Sequence, residues 1–250
     1  LFRSSILKAE TFRVLSGIVF YITLPCIIIT SINGVPVTSE MLWLVALGAL
    51  CNVLMVVTGY GMTHGKARQE RAFSMINLSG YNIGTFAMPF VAGFLPPTGF
   101  LATCLFDAGN AIMCTGGTYA LANSVTDASQ HLSIKSFLLN VFSSIPFCIY
   151  LIMIVMAFLH LALLHPVLIF TKIAGDANAF LCMLMIGVNI HLQMDSKSFR
   201  CLSKHITVRY ALSAVLAFLF YRYLPFSLEI RQAMAVIALA PSSSLALIFT

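Results

Sequence analysis

The chain has 250 residues, 60% of them hydrophobic and 9% charged. A soluble domain needs a polar surface and is about a quarter charged, so fourteen Lys/Arg and eight Asp/Glu exclude a water-soluble globule and leave a polytopic membrane protein. The net charge of +6 does not point to nucleic acid, because the basic residues fall in short connections between apolar runs.

Eight apolar stretches each reach the roughly 20 residues that carry a helix across a bilayer. They are 11–31, 40–63, 72–95, 98–122, 136–163, 166–191, 204–224 and 227–250. The longest connections are 123–135 and 192–203. That leaves no room for an extramembrane domain and predicts one transmembrane domain, with 1–122 and 136–250 as its halves and 123–135 as a short linker. The chain opens on LFRSSILKAE and closes on SSSLALIFT. Both ends read as cuts through a longer protein, and the first apolar run is too long for a signal peptide and lacks a cleavage site.

In the first stretch, FYITLPCIII sets Pro25 between apolar runs, where it is expected to bend the helix. The third, SGYNIGTFAMPFVAGF, is apolar enough for a membrane yet holds Gly80, Asn82, Gly84, Pro89 and Gly93. Pro89 has no N–H to give and clashes with the preceding turn. Peptide groups freed in hydrocarbon cost several kcal/mol each unless they are buried in protein or face a watery cavity. In the fourth, Thr103, Asp107, Asn110, Cys114 and Thr118 recur at helical spacing, on a face that must point into the protein. Asp107 reads either as a group that binds a proton or, with Asn110, Na⁺, or as a hydrogen-bonded structural carboxylate. In the sixth, Lys172 and Asp176 are four apart and can pair; Asn178 lies deeper as a ligand candidate, and Asn189 reads as a cap. The eighth repeats the interruption in ALAPSSSLAL, where Pro241 precedes Ser242, Ser243 and Ser244. Two interrupted helices in corresponding halves point to a secondary transporter, whose half-helix ends offer N–H groups to anions and carbonyls to cations. A plain proline kink at each is the alternative.

Arg3, Lys8, Arg13, Lys66, Arg68, Arg71, Lys135, Lys197, Arg200, Lys204 and Arg209 fall on one side of these stretches and Arg222 and Arg231 on the other, eleven against two. The basic side is expected to be cytoplasmic. This predicts a multi-pass protein of the cell membrane, with the loops bearing Lys66 to Arg71 and Lys197 to Lys204 inside. The cysteines show no metal spacing and the histidines cluster near segment ends without metal geometry. No Walker A, GxGxxG or HExxH occurs and no Ser/His/Asp set can be assembled, so no catalytic residue, no metal site and no enzyme is expected.

Together VLSGIVFYITLPCIII, SGYNIGTFAMPFVAGF, LFDAGNAI, NAFLCMLMIGVNI and ALAPSSSLAL resemble, in order and spacing over the whole chain, the auxin efflux carrier family, specifically its bacterial branch. The resemblance implies an all-α fold of ten spans in two inverted five-helix repeats, related to bile acid symporters and sodium–proton antiporters. In that fold the fourth and ninth helices are interrupted and cross at mid-membrane. The eight stretches would be spans two to nine, with the first and last missing. Asn82 and Pro89 would lie in one crossing helix, Pro241, Ser242 and Ser243 in the other, and Asp107 and Asn110 in the helix after the first crossover. Plant members carry a long hydrophilic loop where this chain has only 123–135, which favours a carrier of small organic anions such as malate or malonate. The expected substrate-binding residues are Ser79, Asn82, Pro89, Asn178, Pro241, Ser242 and Ser243, and the ion-coupling residues are Asp107 and Asn110. No cofactor is expected beyond a coupling H⁺ or Na⁺. The expected partners are the anion, the lipid bilayer and, in a homodimer, a second copy of the chain. A transporter-like ligand sensor, a sodium-coupled symporter of the bile acid type and a passive channel are the rival readings.

Overall fold

The computed structural model describes residues 9–126, 134–189 and 196–243. Among them every regular element is a helix. In chain order, α1 (Ala9–Ile18) passes through a π turn (Val19–Thr23) into α2 (Leu24–Ile32). A 3-10 turn (Ser39–Leu42) opens α3 (Trp43–Met62). Then α4 (Arg68–Leu78) ends in an extended segment, followed by a π turn (Ile83–Ala87) and α5 (Met88–Phe94). Next, α6 (Pro97–Ile112) runs through a third π turn (Met113–Gly117) into α7 (Thr118–Thr126). The rest is α8 (Ile134–Phe142), α9 (Ile145–Phe158), α10 (His165–Asp176), α11 (Asn178–Asn189), α12 (Ser196–Tyr223) and α13 (Leu228–Ala238).

Among the described residues three helical runs are long and apolar enough to cross a membrane: Thr11–Ile32, Ser39–Met62 and His165–Val188, with mean hydropathies of 2.1, 2.2 and 1.6. Large apolar side chains stand on their outward faces, with Trp43 73% and Phe170 65% exposed. Such a surface suits lipid rather than water, and the chain fits a membrane protein.

Prolines mark helix starts. Pro97, Pro146 and Pro166 each lie in a first turn, where a missing N–H is no loss because that group has no helical partner. The stretch 136–163 is divided at Ser143 and Ser144, between α8 and α9. Helix α12 begins at Ser196, so Lys197 to Lys204 ride on its first turns instead of a loop. The expected Lys172–Asp176 pair forms on the surface at 3.1 Å.

Pro89 is not the expected break, and it is accommodated in the same way as Pro25. Each follows a π turn, and the residue before it donates five residues back, Leu24 to Val19 and Met88 to Ile83. The widened turn carries the ladder past the missing proline N–H. The interruption of the 72–95 stretch lies upstream of Pro89, at residues 79–82.

Helices α3 and α6 pack backbone to backbone. A Cβ on Gly48 would sit 2.1 Å from the Phe106 carbonyl oxygen, and one on Gly109 1.9 Å from that of Val45. Small residues permit this approach between membrane helices. Asn52 lies one turn after Gly48 and Asn110 directly follows Gly109, so the close packing sets two polar side chains side by side. The core around them joins Leu44, Met55, Tyr81, Phe106, Met234 and Ile237.

Candidate functional site: a crossover of two interrupted helices

Helix α4 ends at Leu78, and the chain runs extended until Ile83. Gly80 has φ of 73°, the left-handed region that glycine enters without penalty. A Cβ there would also come within 2.9 Å of the Ser243 Cβ. Helix α13 ends at Ala238, and Ala240 to Ser243 are likewise non-helical. The two interruptions meet through their backbones. Asn82 N–H donates to the Pro241 carbonyl at 2.9 Å, and Ser243 N–H donates to the Gly80 carbonyl at 3.3 Å.

Peptide groups at such breaks need partners, and side chains supply them. From α3, Asn52 accepts the Gly80 N–H at Oδ1 (2.7 Å) and donates from Nδ2 to Gly48 O and Asn110 Oδ1. From α6, Asn110 satisfies both peptide groups of Tyr81, accepting its N–H at 3.0 Å and donating to its carbonyl at 2.9 Å. Asn110 Nδ2 also donates to Asp107 Oδ1 at 2.8 Å. The other carboxyl oxygen, Oδ2, accepts from the Tyr150 hydroxyl of α9 at 2.6 Å. Asp107 is buried, and these contacts make it a link in a hydrogen-bonded chain that runs from Tyr150 to the break.

Arg209 on α12 holds the other side. The sequence counts it among the basic-side charges, but the structure buries it to 4% exposure. Its Nη1 donates to Leu78 O, and its Nη2 donates to Gly80 O at 2.9 Å and Ala240 O at 3.1 Å. The guanidinium also lies 5.0 Å over the Tyr81 ring. One side chain thus caps the carbonyl ends of both α4 and α13. Each end carries about half a negative charge, and the two together offset the guanidinium. This explains how an arginine without a carboxylate partner among the described residues persists in the interior.

The structure brings Asn82, Pro241 and Ser243 together at the crossover, and Asp107 and Asn110 join it through Tyr81. Ser242 is half-buried on the second interruption. The Asn82 side chain accepts from Thr85 Oγ1. Ser79 is adjacent in sequence but uses its hydroxyl elsewhere, in hydrogen bonds of 3.2 Å each with Ile76 O and the Thr118 hydroxyl. Pro89 is buried within α5, past the π turn. Asn178 is fully buried, and its carbonyl oxygen accepts from Thr23 Oγ1 at 2.9 Å; its amide enters no bond with the crossover residues. Ser244 lies outside the described residues.

Sequence reasoning missed Asn52, Tyr150 and Arg209. The available signal was a polar residue inside an apolar run, in GALCNVLMVV, FCIYLIMIV and ITVRYALSAV. An open apolar groove of about 490 Å³ between the start of α3 and residues 224–226, lined by Trp43, Leu44, Leu47 and Phe226, lies apart from this convergence of polar atoms. Among the described residues no three His, Cys, Asp or Glu side chains gather as a metal site. No protein-family model, curated protein or solved structure matches the chain.

Proposed function

We propose that this chain is a secondary transporter that moves small organic anions such as malate or malonate across the cell membrane by alternating access. We place it in the auxin efflux carrier family, bacterial branch, as spans two to nine of an inverted-repeat domain, with Lys66 to Arg71 on the cytoplasmic side. The observation that carries the reading is the pair of backbone hydrogen bonds between the interruptions, Asn82 to Pro241 and Ser243 to Gly80. Interrupted helices that meet inside a bilayer are the hallmark of solute sites at a repeat interface. A further support is the parallel between α3 and α12. Each precedes an interrupted helix, and each lends a polar side chain, Asn52 or Arg209, to the crossover. Inverted repeats produce that pairing.

In this mechanism the first turn of the half-helix that follows Ile83 presents its positive end to the anion, flanked by Asn82, Ser242 and Ser243. Asp107 couples transport by taking up and releasing a proton. H⁺ is preferred over Na⁺ because both carboxyl oxygens already face donors, Asn110 Nδ2 and the Tyr150 hydroxyl. The Tyr150 hydroxyl can turn to accept from a protonated Oδ2, whereas a cation would have to share the carboxylate with two donor groups. Movement of one helix bundle against the other then exposes the site alternately.

Flux in proteoliposomes tests this, using labelled malate and malonate under imposed pH or Na⁺ gradients. The wild type is expected to accumulate a carboxylate in response to the pH gradient. Asp107→Asn is expected to abolish gradient-driven accumulation while leaving saturable exchange. Unsaturable flux, or none for any carboxylate, would overturn the proposal. Accumulation driven by Na⁺ alone would replace the coupling ion.

A further inference from the structure

Most buried polar atoms at the crossover have partners, but one patch does not. Arg209 spends its Nη atoms on the carbonyls of Leu78, Gly80 and Ala240, while its buried Nε has no partner among the described residues. Ser213 lies one turn along the same face of α12. It is fully buried, and its Oγ is likewise unpartnered. Tyr81, whose ring lies beneath the guanidinium, has a buried hydroxyl without a partner as well.

A buried donor left without an acceptor costs about 1–3 kcal/mol, and three in contiguous residues is a heavy load for a domain of ordinary stability. All three atoms can donate, and what they lack is an acceptor. Arg209 is a guanidinium whose two Nη atoms already face carbonyls, which leaves Nε as its free donor. A carboxylate supplies two oxygens and about four lone-pair directions, and charge-assisted bonds to guanidinium are the stronger kind.

We propose that Arg209 Nε, Ser213 Oγ and Tyr81 Oη form a carboxylate subsite on the α12 flank of the crossover, which takes one acid group of the solute. This rests on the anion-carrier reading and adds to it the cation that selects acids over their neutral analogues. Arg209 then has two roles: its Nη atoms tie the interruptions together, and its Nε meets the solute.

Ser213→Ala and Tyr81→Phe each delete one hydroxyl and leave the Arg209 clamp in place. Two measurements on the full-length protein should move in opposite directions. Without solute, the thermal midpoint holds or rises, because an unpaired polar atom has been removed. In proteoliposomes, KM for malonate rises roughly tenfold, the loss of one hydrogen bond to a charged group, with kcat kept. Competition by malonamide, the uncharged analogue, is unchanged. An unaltered malonate KM in both variants overturns the subsite. So does a fall in the thermal midpoint without solute, because it would mean that the hydroxyls already have internal or water partners. If the wild type carries no carboxylate, the carrier reading fails by itself. The subsite then stands or falls on whether malonate stabilises the wild type against heat and Ser213→Ala removes that stabilisation.

Discussion

The segments Val19–Thr23 with Pro25 and Ile83–Ala87 with Pro89 are the same device used twice. In each, a π turn of five residues precedes a proline by one residue, and a five-residue-back hydrogen bond spans it. Yet Thr11–Ile32 runs on as one helix of 22 residues, whereas the second device follows a break at residues 79–82. Proline is common to both, so proline does not make the break. The difference lies upstream. Around Gly80, side chains from three other helices offer the freed peptide groups somewhere to bond: Asn52, Asn110 and Arg209. Around Val19 the bonds from other helices join side chains, as Thr23 does Asn178, and leave the backbone alone. In this chain a helix opens where partners await its backbone, and closes over a proline where they do not.

The sharpest way to break the comparison is Asn110→Leu. It strips the partner from the Tyr81 N–H, one of two donors from the Tyr81 carbonyl and one from an Asp107 oxygen, at an expected cost of about 3–5 kcal/mol. Its counterpart in the first segment, Thr23→Val, should cost about 1 kcal/mol. Thermal unfolding of the detergent-solubilised protein ranks the two, and equal losses would contradict the contrast. Gly80→Ala comes next. It forces a side chain into the left-handed region, at about 1–2 kcal/mol, and adds the contact with Ser243. The smallest effects should be those of Pro25→Ala and Pro89→Ala, each about 1 kcal/mol or less, since the π turns already carry the ladder and mainly unfolded-state entropy changes. Collapse of Pro89→Ala alone would return the break to the proline.

Two elements show how far the residues could be read without coordinates. Asp107 and Asn110 sit three apart on one helical face, so their partnership was legible in local spacing, and their bond is present at 2.8 Å. The interruption was legible as a glycine- and asparagine-bearing stretch in an apolar run. Its position was not, because proline is the strongest local breaker and drew the expectation to residue 89. The partners that fix the break lie far along the chain. Asn52 is 28 residues from Gly80, Tyr150 is 43 from Asp107, and Arg209 is 129 from Gly80. No local period marks such pairs. Arg209 shows the limit most clearly. In a count of loop charges it is one more basic residue, and only packing distinguishes a solvated arginine from one that caps two helices. The small residues Gly48 and Gly109 carry the same lesson, since their role depends on α3 and α6 lying backbone to backbone.

The central claim is that the two interruptions touch, and a single substitution tests it. A Cβ built on Gly80 lies 2.9 Å from the Ser243 Cβ and 3.1 Å from the Cys114 sulfur, and Ser243 and Cys114 are joined by a side-chain hydrogen bond. Ser243→Cys should therefore place a thiol within disulfide reach of Cys114. Oxidation of the purified protein, followed by mass spectrometry of its peptides, should recover the introduced thiol linked to Cys114. A thiol that stays free under oxidation, or pairs with a different native cysteine, would contradict the meeting of the two interruptions.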